Sequence, residues 1–123
     1  MIVAVFRRRL KDGATFEQFL DAWAAEAGFG VPARVFNAVS LEDPREILSF
    51  GFVGVEADDF AAQAASVAGQ EAVRHLRIDD VIESTELRAF YELRTEHDFS
   101  GDPREIDPAG AESLLAALTG GAS

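Results

Sequence analysis

The chain contains no cysteine, which excludes disulfides, thiolate metal sites and cysteine nucleophiles. Lysine is nearly absent too, with Lys11 the single example, so almost all the positive charge is arginine. Positive charge of either kind is scarce: 11 Lys and Arg stand against 22 Asp and Glu, a net charge of −11. Such a surface repels phosphate backbones and anionic bilayers, which argues against nucleic acid and membranes as partners. No apolar run approaches the ~18–20 residues of a membrane span. The N-terminal MIVAVFRRRL puts its apolar stretch ahead of its charges, the reverse of a secretory signal, so a cytoplasmic protein is expected. There is no Walker loop, GxGxxG, GxSxG or HExxH. Two isolated histidines among dispersed carboxylates do not make a metal site, and no bound cofactor is demanded.

What is present is a patterned apolar chain. Its 123 residues are 48% apolar and include ten Phe, enough for one compact domain with a core. Residues 2–10 (IVAVFRRRL) open with five apolar residues, the pattern of a strand buried on both faces. Asp12-Gly13 signals a turn. Thr15 then opens a helix. Thr15 and Gln18 have capping-box spacing, in which each side chain satisfies a free backbone N–H. Phe16, Phe19, Leu20, Trp23 and Ala27 recur as one apolar stripe. Gly28 and Gly30 stop this helix and Pro32 prevents its resumption.

Residues 33–41 and 46–55 read as two strands joined by Glu42-Asp43-Pro44-Arg45, an antiparallel hairpin. Gly51 and Gly54 within the second suggest a bulge or a close backbone approach. Asp58 or Asp59 caps an Ala-rich helix over 59–72, with Phe60, Ala64 and Val67 on one side. Gly69 is expected to end its regular part, with a further turn reaching His75-Leu76. Residues 81–94 form the last long strand. Residues 99–110 are turn-rich, and Asp107 and Pro108 suit the cap and first position of a short helix carrying Leu114, Leu115 and Leu118. The expected organisation is a domain over 1–98 and a C-terminal tail over 99–123.

This order predicts an α+β, ferredoxin-like βαββαβ fold: a four-stranded antiparallel sheet with two helices on one face. A solvated second face would show polar residues at alternate positions. Instead Ile2, Ala4 and Phe6 are apolar, and so are Val3 and Val5; in the third strand both sets are again largely apolar. At ~25 cal/mol per Å², a bare face of several hundred Å² forfeits on the order of 10 kcal/mol. The sheet of a second copy, in a homodimer, is a better cover than the narrow Leu stripe of the tail.

At this point the chain resembles the dimeric α+β barrel superfamily, in particular the antibiotic-biosynthesis-monooxygenase-like proteins. The resemblance rests on the layout, on IVAVFRRRLKDGATFEQFLDAW as first strand, turn and helix, and on the final strand ELRAFYEL, and it covers roughly residues 1–95. It implies a dimer with a pocket between each sheet and its helices. It also implies activities such as cofactor-independent monooxygenation of aromatic polyketides, lactone isomerisation or haem degradation. A non-catalytic small-ligand-binding or stress-related dimer is the alternative, because fold does not dictate activity.

Six residues are the pocket candidates. Trp23, Asn37 and Tyr91 could hold an aromatic substrate beside O₂ if they converge, though Trp23 also reads as core and Tyr91 as a strand residue. Phe50 lies in the apolar third strand. Arg7 shares one side of the first strand with Arg9. Facing inward, the two could bind an anion or pair with Glu86; facing the rim, which the reading favours, they are solvated. His75 sits near the end of helix two, where haem-degrading relatives place their iron ligand. Those relatives also use an Asn on strand one and a Trp on helix two, both lacking here. The simpler reading is a histidine favoured by the helix C-terminus. His97 is expected in a polar surface turn.

Overall fold

The computed structural model describes residues 1–24 and 27–118. Strand β1 (Ile2–Leu10) leads into α1 (Phe16–Trp23), then β2 (Ala33–Val39), β3 (Glu46–Val53), α2 (Phe60–Asp79) and β4 (Ile82–Glu92). The four strands form one antiparallel sheet in the order β2-β3-β1-β4. This is the ferredoxin-like arrangement: the two halves interleave, so the first and third strands are central.

Local chemistry sets the element ends. The capping box of α1 is complete: Gln18 N–H donates to Thr15 Oγ1 at 3.1 Å, and Thr15 N–H donates to Gln18 Oε1 at 2.9 Å. Beyond Trp23 the expected stripe toward Ala27 crosses residues 25 and 26, which lie outside the described residues. Ala24 has φ 30, ψ 93, which interrupts helical geometry, so α1 is shorter than the apolar spacing predicts. Strand β2 stops at Val39 because Ser40 Oγ accepts from the Glu42 and Asp43 N–H groups at 3.1 and 3.2 Å and turns the chain.

Helix α2 differs most from expectation. It runs 20 residues, straight through Gly69 to Asp79. An interior glycine costs about 1 kcal/mol relative to alanine. Burying Ile78, 1% exposed at the far end of α2, returns about 1.5–3 kcal/mol. Tertiary packing therefore outweighs the local break.

The tail is more ordered than a turn-rich segment. Strands β5 (Glu96–Asp98) and β6 (Arg104–Ile106) pair antiparallel, so the boundary expected at 98/99 falls inside a hairpin. His97 lies in β5, exposed, with Nε2 3.8 Å from Glu105. Asp107 and Pro108 form a turn, in which Asp107 accepts from the Ala109 and Gly110 N–H groups, and do not start a helix. Helix α3 (Leu114–Leu118) begins only after Ser113, whose hydroxyl donates to Glu96 at 2.6 Å. Residues 119–123 of the expected tail lie outside the described residues.

The two sheet faces differ. Ile2, Ala4, Phe6, Arg8 and Leu10 of β1 point toward the helices, with Ile47, Ser49, Gly51 and Val53 of β3 beside them in register. The opposite face carries Val3, Val5 and Arg7 on β1, Phe36 on β2, Leu48, Phe50 and Phe52 on β3, and Leu87 and Tyr91 on β4. Leu48 and Tyr91 there are 38% and 53% exposed. Under the helices the core is concentrated at one end: Leu10, Phe19, Ile47, Ile78 and Ile82 pack together around the C-terminal end of α2.

Candidate functional site

The other end of the helix layer is not filled. The inner side of α2 before Ala72 offers Ala61, Ala64, Ala65 and Ala68, and the sheet opposite offers Ala4 and Gly51. Side chains this small cannot span the gap between helix and sheet. A cavity of about 580 Å³ results, bordered also by Phe6, Phe29, Phe60 and Phe90. Its size falls within the roughly 300–1,000 Å³ of small-molecule sites. Gly51 stands at a close approach between strands: a Cβ there would meet the Val35 side chain at 3.0 Å and the Arg34 carbonyl oxygen at 3.1 Å, so both would have to give by a few tenths of an ångström.

One wall is closed by the loop after α1. Gln63 and Gln70 of α2 donate to the carbonyl oxygens of Phe29 and Gly28, both at 2.9 Å. Gly30, at φ 79, supplies the left-handed turn this loop needs.

The polar groups gather at the end nearest the core. Arg8 is only 4% exposed, yet it borders the cavity. Its guanidinium lies 4.7 Å from the Phe6 ring centre and 5.9 Å from that of Phe19. Arg8 Nη1 donates to Ser49 Oγ at 3.3 Å, and the Ser49 hydroxyl donates onward to Asn37 Oδ1 at 2.6 Å. Burial, reinforced by Arg74 and Arg88, lowers the Arg8 pKa from its ordinary value to about 10, against the opposing fields of Asp79 and Glu71. Glu71 forms an ion pair with Arg74, whose guanidinium lies 4.6 Å from the Trp23 ring centre, and stands 3.6 Å from His75 Nε2. His75 meets Phe6 edge-on at 6.0 Å. Burial, then Arg8 and Arg88, hold its pKa below the usual histidine value.

The pocket candidates separate. Trp23 and His75 line the cavity. Phe50 borders it, but its ring stacks on Phe36 at 5.2 Å on the opposite face. Asn37 lies behind Ser49 and is not among the lining residues. Arg7 and Tyr91 do not line it at all: the strand register puts both on the far face, where Arg7 pairs with Glu86 at 3.2 Å. Arg9 likewise pairs with Asp43 at 2.6 Å and Glu83 at 3.7 Å, away from the cavity. Trp23, Asn37 and Tyr91 therefore do not converge on one substrate.

The residue that reading alone missed is Arg8. The signal was there: Arg8 shares its face with Ile2, Ala4, Phe6 and Leu10, the inward set. Arg88 shares its face with Phe90 in the same way.

Among the described residues no cluster of three His, Cys, Asp or Glu side chains could hold a metal ion. Nor is any described helix long and apolar enough to cross a membrane.

An antiparallel β2-β3-β1-β4 sheet backed by two helices, with an apolar pocket between the layers, defines a ferredoxin-like α+β protein with a small-molecule-sized interior. The fold is that of a crystal structure of a protein from Chloroflexus aurantiacus J-10-fl that carries the provisional name antibiotic biosynthesis monooxygenase. The match has a TM-score of 0.53, covers 79% of this chain and 96% of that one, and has 14% sequence identity. No family model and no curated protein matches the sequence.

Proposed function

We propose that the protein binds an apolar or aromatic small molecule in this cavity and works as a dimeric α+β barrel. The enzymatic form of this reading is a cofactor-independent monooxygenase or isomerase. The observation that carries it is the cavity itself, about 580 Å³ with aromatic and alanine walls and polar groups at one end. The structural neighbour, itself named for monooxygenation, supports the same direction. The dimer rests on the far sheet face, where Val3, Val5, Phe36, Phe50, Phe52, Leu87 and Tyr91 form an apolar surface without cover from either helix.

The test combines binding with turnover. Titration calorimetry with an uncharged aromatic probe, 2-naphthalenemethanol, reports whether the cavity admits a ligand. An oxygen electrode, with a polycyclic phenol as probe, reports oxygenation. Binding with oxygen uptake supports the enzyme. Binding without turnover of any kind favours the non-catalytic alternative, which the separation of Trp23, Asn37 and Tyr91 also favours. Haem binding through His75 has weaker support, since one of its nitrogens already faces Glu71. A Soret band that vanishes in His75→Ala would reinstate it.

A further inference from the structure

We infer that the end of the cavity nearest the core is an anion-binding site centred on Arg8, and that the ligand is an aromatic carboxylate with its carboxylate against this guanidinium. This rests on the cavity being a ligand pocket, as proposed above, and adds the chemical class of the ligand.

Four observations lead there. First, Arg8 is almost fully buried and, among the described residues, no carboxylate forms an ion pair with it: Asp79 and Glu71 act on it only through their fields, and Glu71, which lines the cavity, is engaged by Arg74 and His75. A buried charge without a counter-ion is costly to keep. Second, Phe6 and Phe19 hold the guanidinium through their ring faces. Cation–π contact stabilises the charge while leaving the in-plane N–H donors available.

Third, the Ser49 hydroxyl accepts from Arg8 and passes its own proton toward Asn37. It fixes Arg8 in place and has no proton left for a ligand, so of this pair the guanidinium is the group that can donate to an anion. Arg88, on the same wall and 5.7 Å from the Phe6 ring centre, adds a second positive charge with no ion-pair partner among the described residues. Fourth, away from these groups the wall is mainly Phe, Val and Ala with Trp23, and its Gln63 already donates to the Phe29 carbonyl, which suits a flat apolar body. A planar monoanion fits a fork of parallel N–H donors. A phosphate dianion would bring a second charge into apolar surroundings.

The experiment is titration calorimetry of the intact protein at about pH 7.5 with 2-naphthoate and its neutral analogue 2-naphthalenemethanol. Hydrogen bonds to charged groups contribute about 1.5–3 kcal/mol, so naphthoate should bind roughly 10-fold or more tighter than the alcohol. Arg8→Met should erase that preference and leave binding of the alcohol within about twofold. Arg88→Gln, a change at an exposed position, should reduce the preference in part and keeps the test decisive if Arg8→Met fails to fold. Equal affinity of the two probes for the native protein overturns the anion site and leaves the pocket standing. A preference that survives Arg8→Met overturns the assignment to Arg8. Binding of neither probe overturns both this inference and the ligand-pocket reading beneath it.

Discussion

Replacing Arg8 by methionine should make the protein more stable, although it removes a charge, a hydrogen bond and a ring contact. The guanidinium pKa falls from its ordinary value in the unfolded chain to about 10 in the folded one. Because the folded value is the lower, the folded state holds this proton less tightly than the unfolded state. The penalty is complete at any pH below about 10 and fades only as the pH rises beyond it toward the ordinary guanidinium value. At about 1.4 kcal/mol per pH unit, the charged side chain costs roughly 3 kcal/mol at neutral pH.

Against this stand the contacts that Arg8 makes. Its hydrogen bond to Ser49 is long, at 3.3 Å, and contributes about 1 kcal/mol. The cation–π contact with Phe6 adds about 1 kcal/mol, part of which a methionine sulfur recovers against the same ring. Ser49 keeps its bond to Asn37 in the variant. The balance is a gain of about 1 kcal/mol, or roughly 3–6 °C in Tm for a chain of this size. Thermal and urea unfolding by circular dichroism, at fixed protein concentration, measure it. A loss of about 1 kcal/mol or more would mean that Arg8 is a structural member of the core, held for its contacts and not for a ligand.

Three further outcomes follow from other parts of the molecule. Gly69→Ala should stabilise by about 0.5–1 kcal/mol, since the position is mid-helix and a Cβ there meets nothing within 4 Å; a destabilised variant would mean that the glycine has a role in α2 beyond tolerance. His75 has a folded pKa below its unfolded value, held there by burial and by Arg8 and Arg88, with Glu71 opposing and Arg74 adding to the depression. The unfolded chain therefore takes up the proton first as the pH falls through about 6.5, and native stability should drop there by more than in His75→Gln; parallel pH profiles for the two proteins would refute this. Leu48→Asp should convert the proposed dimer into a chain sedimenting at 13.3 kDa while leaving the fold intact, because Leu48 is already 38% exposed within one copy; native protein that sediments as a single chain at micromolar concentration would remove the dimer.

Much of the fold was written in periodicities, and the errors fell where local signals competed with packing. Both faces of β1 and β3 are apolar, one against the helices and the other left uncovered by them, and alternate residues alone reveal it. The capping box at Thr15 and Gln18 works locally and was therefore legible. Gly69 was misleading because the strength of a helix is set over many residues, with Ile78 anchoring its far end. Asp107-Pro108 carries a helix-start signature, yet the seven-residue segment before α3 is spent on turns, which Asp107 serves equally well. The site was less legible for a definite reason: a cavity is made by what side chains fail to fill. Ala61, Ala64 and Ala68 read simply as good helix formers, and only their placement opposite Ala4 and Gly51 makes them the walls of a pocket. Arg8 was hidden between Arg7 and Arg9, although alternation separates it from both.

The charge distribution adds a kinetic consequence. A chain of net charge −11 presents a repulsive field to any approaching anion, while its inner wall holds Arg8 and Arg88. The two fields respond differently to salt. The exterior field reaches about 30 Å at 0.01 M ionic strength and about 10 Å at 0.1 M, whereas the contact at Arg8, out of water, is screened far less. Raising salt from about 0.01 to 0.1 M should thus speed the association of naphthoate and leave its dissociation nearly unchanged, the reverse of ordinary electrostatic steering toward a site of opposite charge. Stopped-flow fluorescence with naphthoate, and with the neutral alcohol as the salt-insensitive reference, measures both rates. If association slows with added salt, the anion feels an attractive path at long range. The acidic exterior would then not govern entry, and the exposed Arg88, not the buried Arg8, would set the approach of the anion.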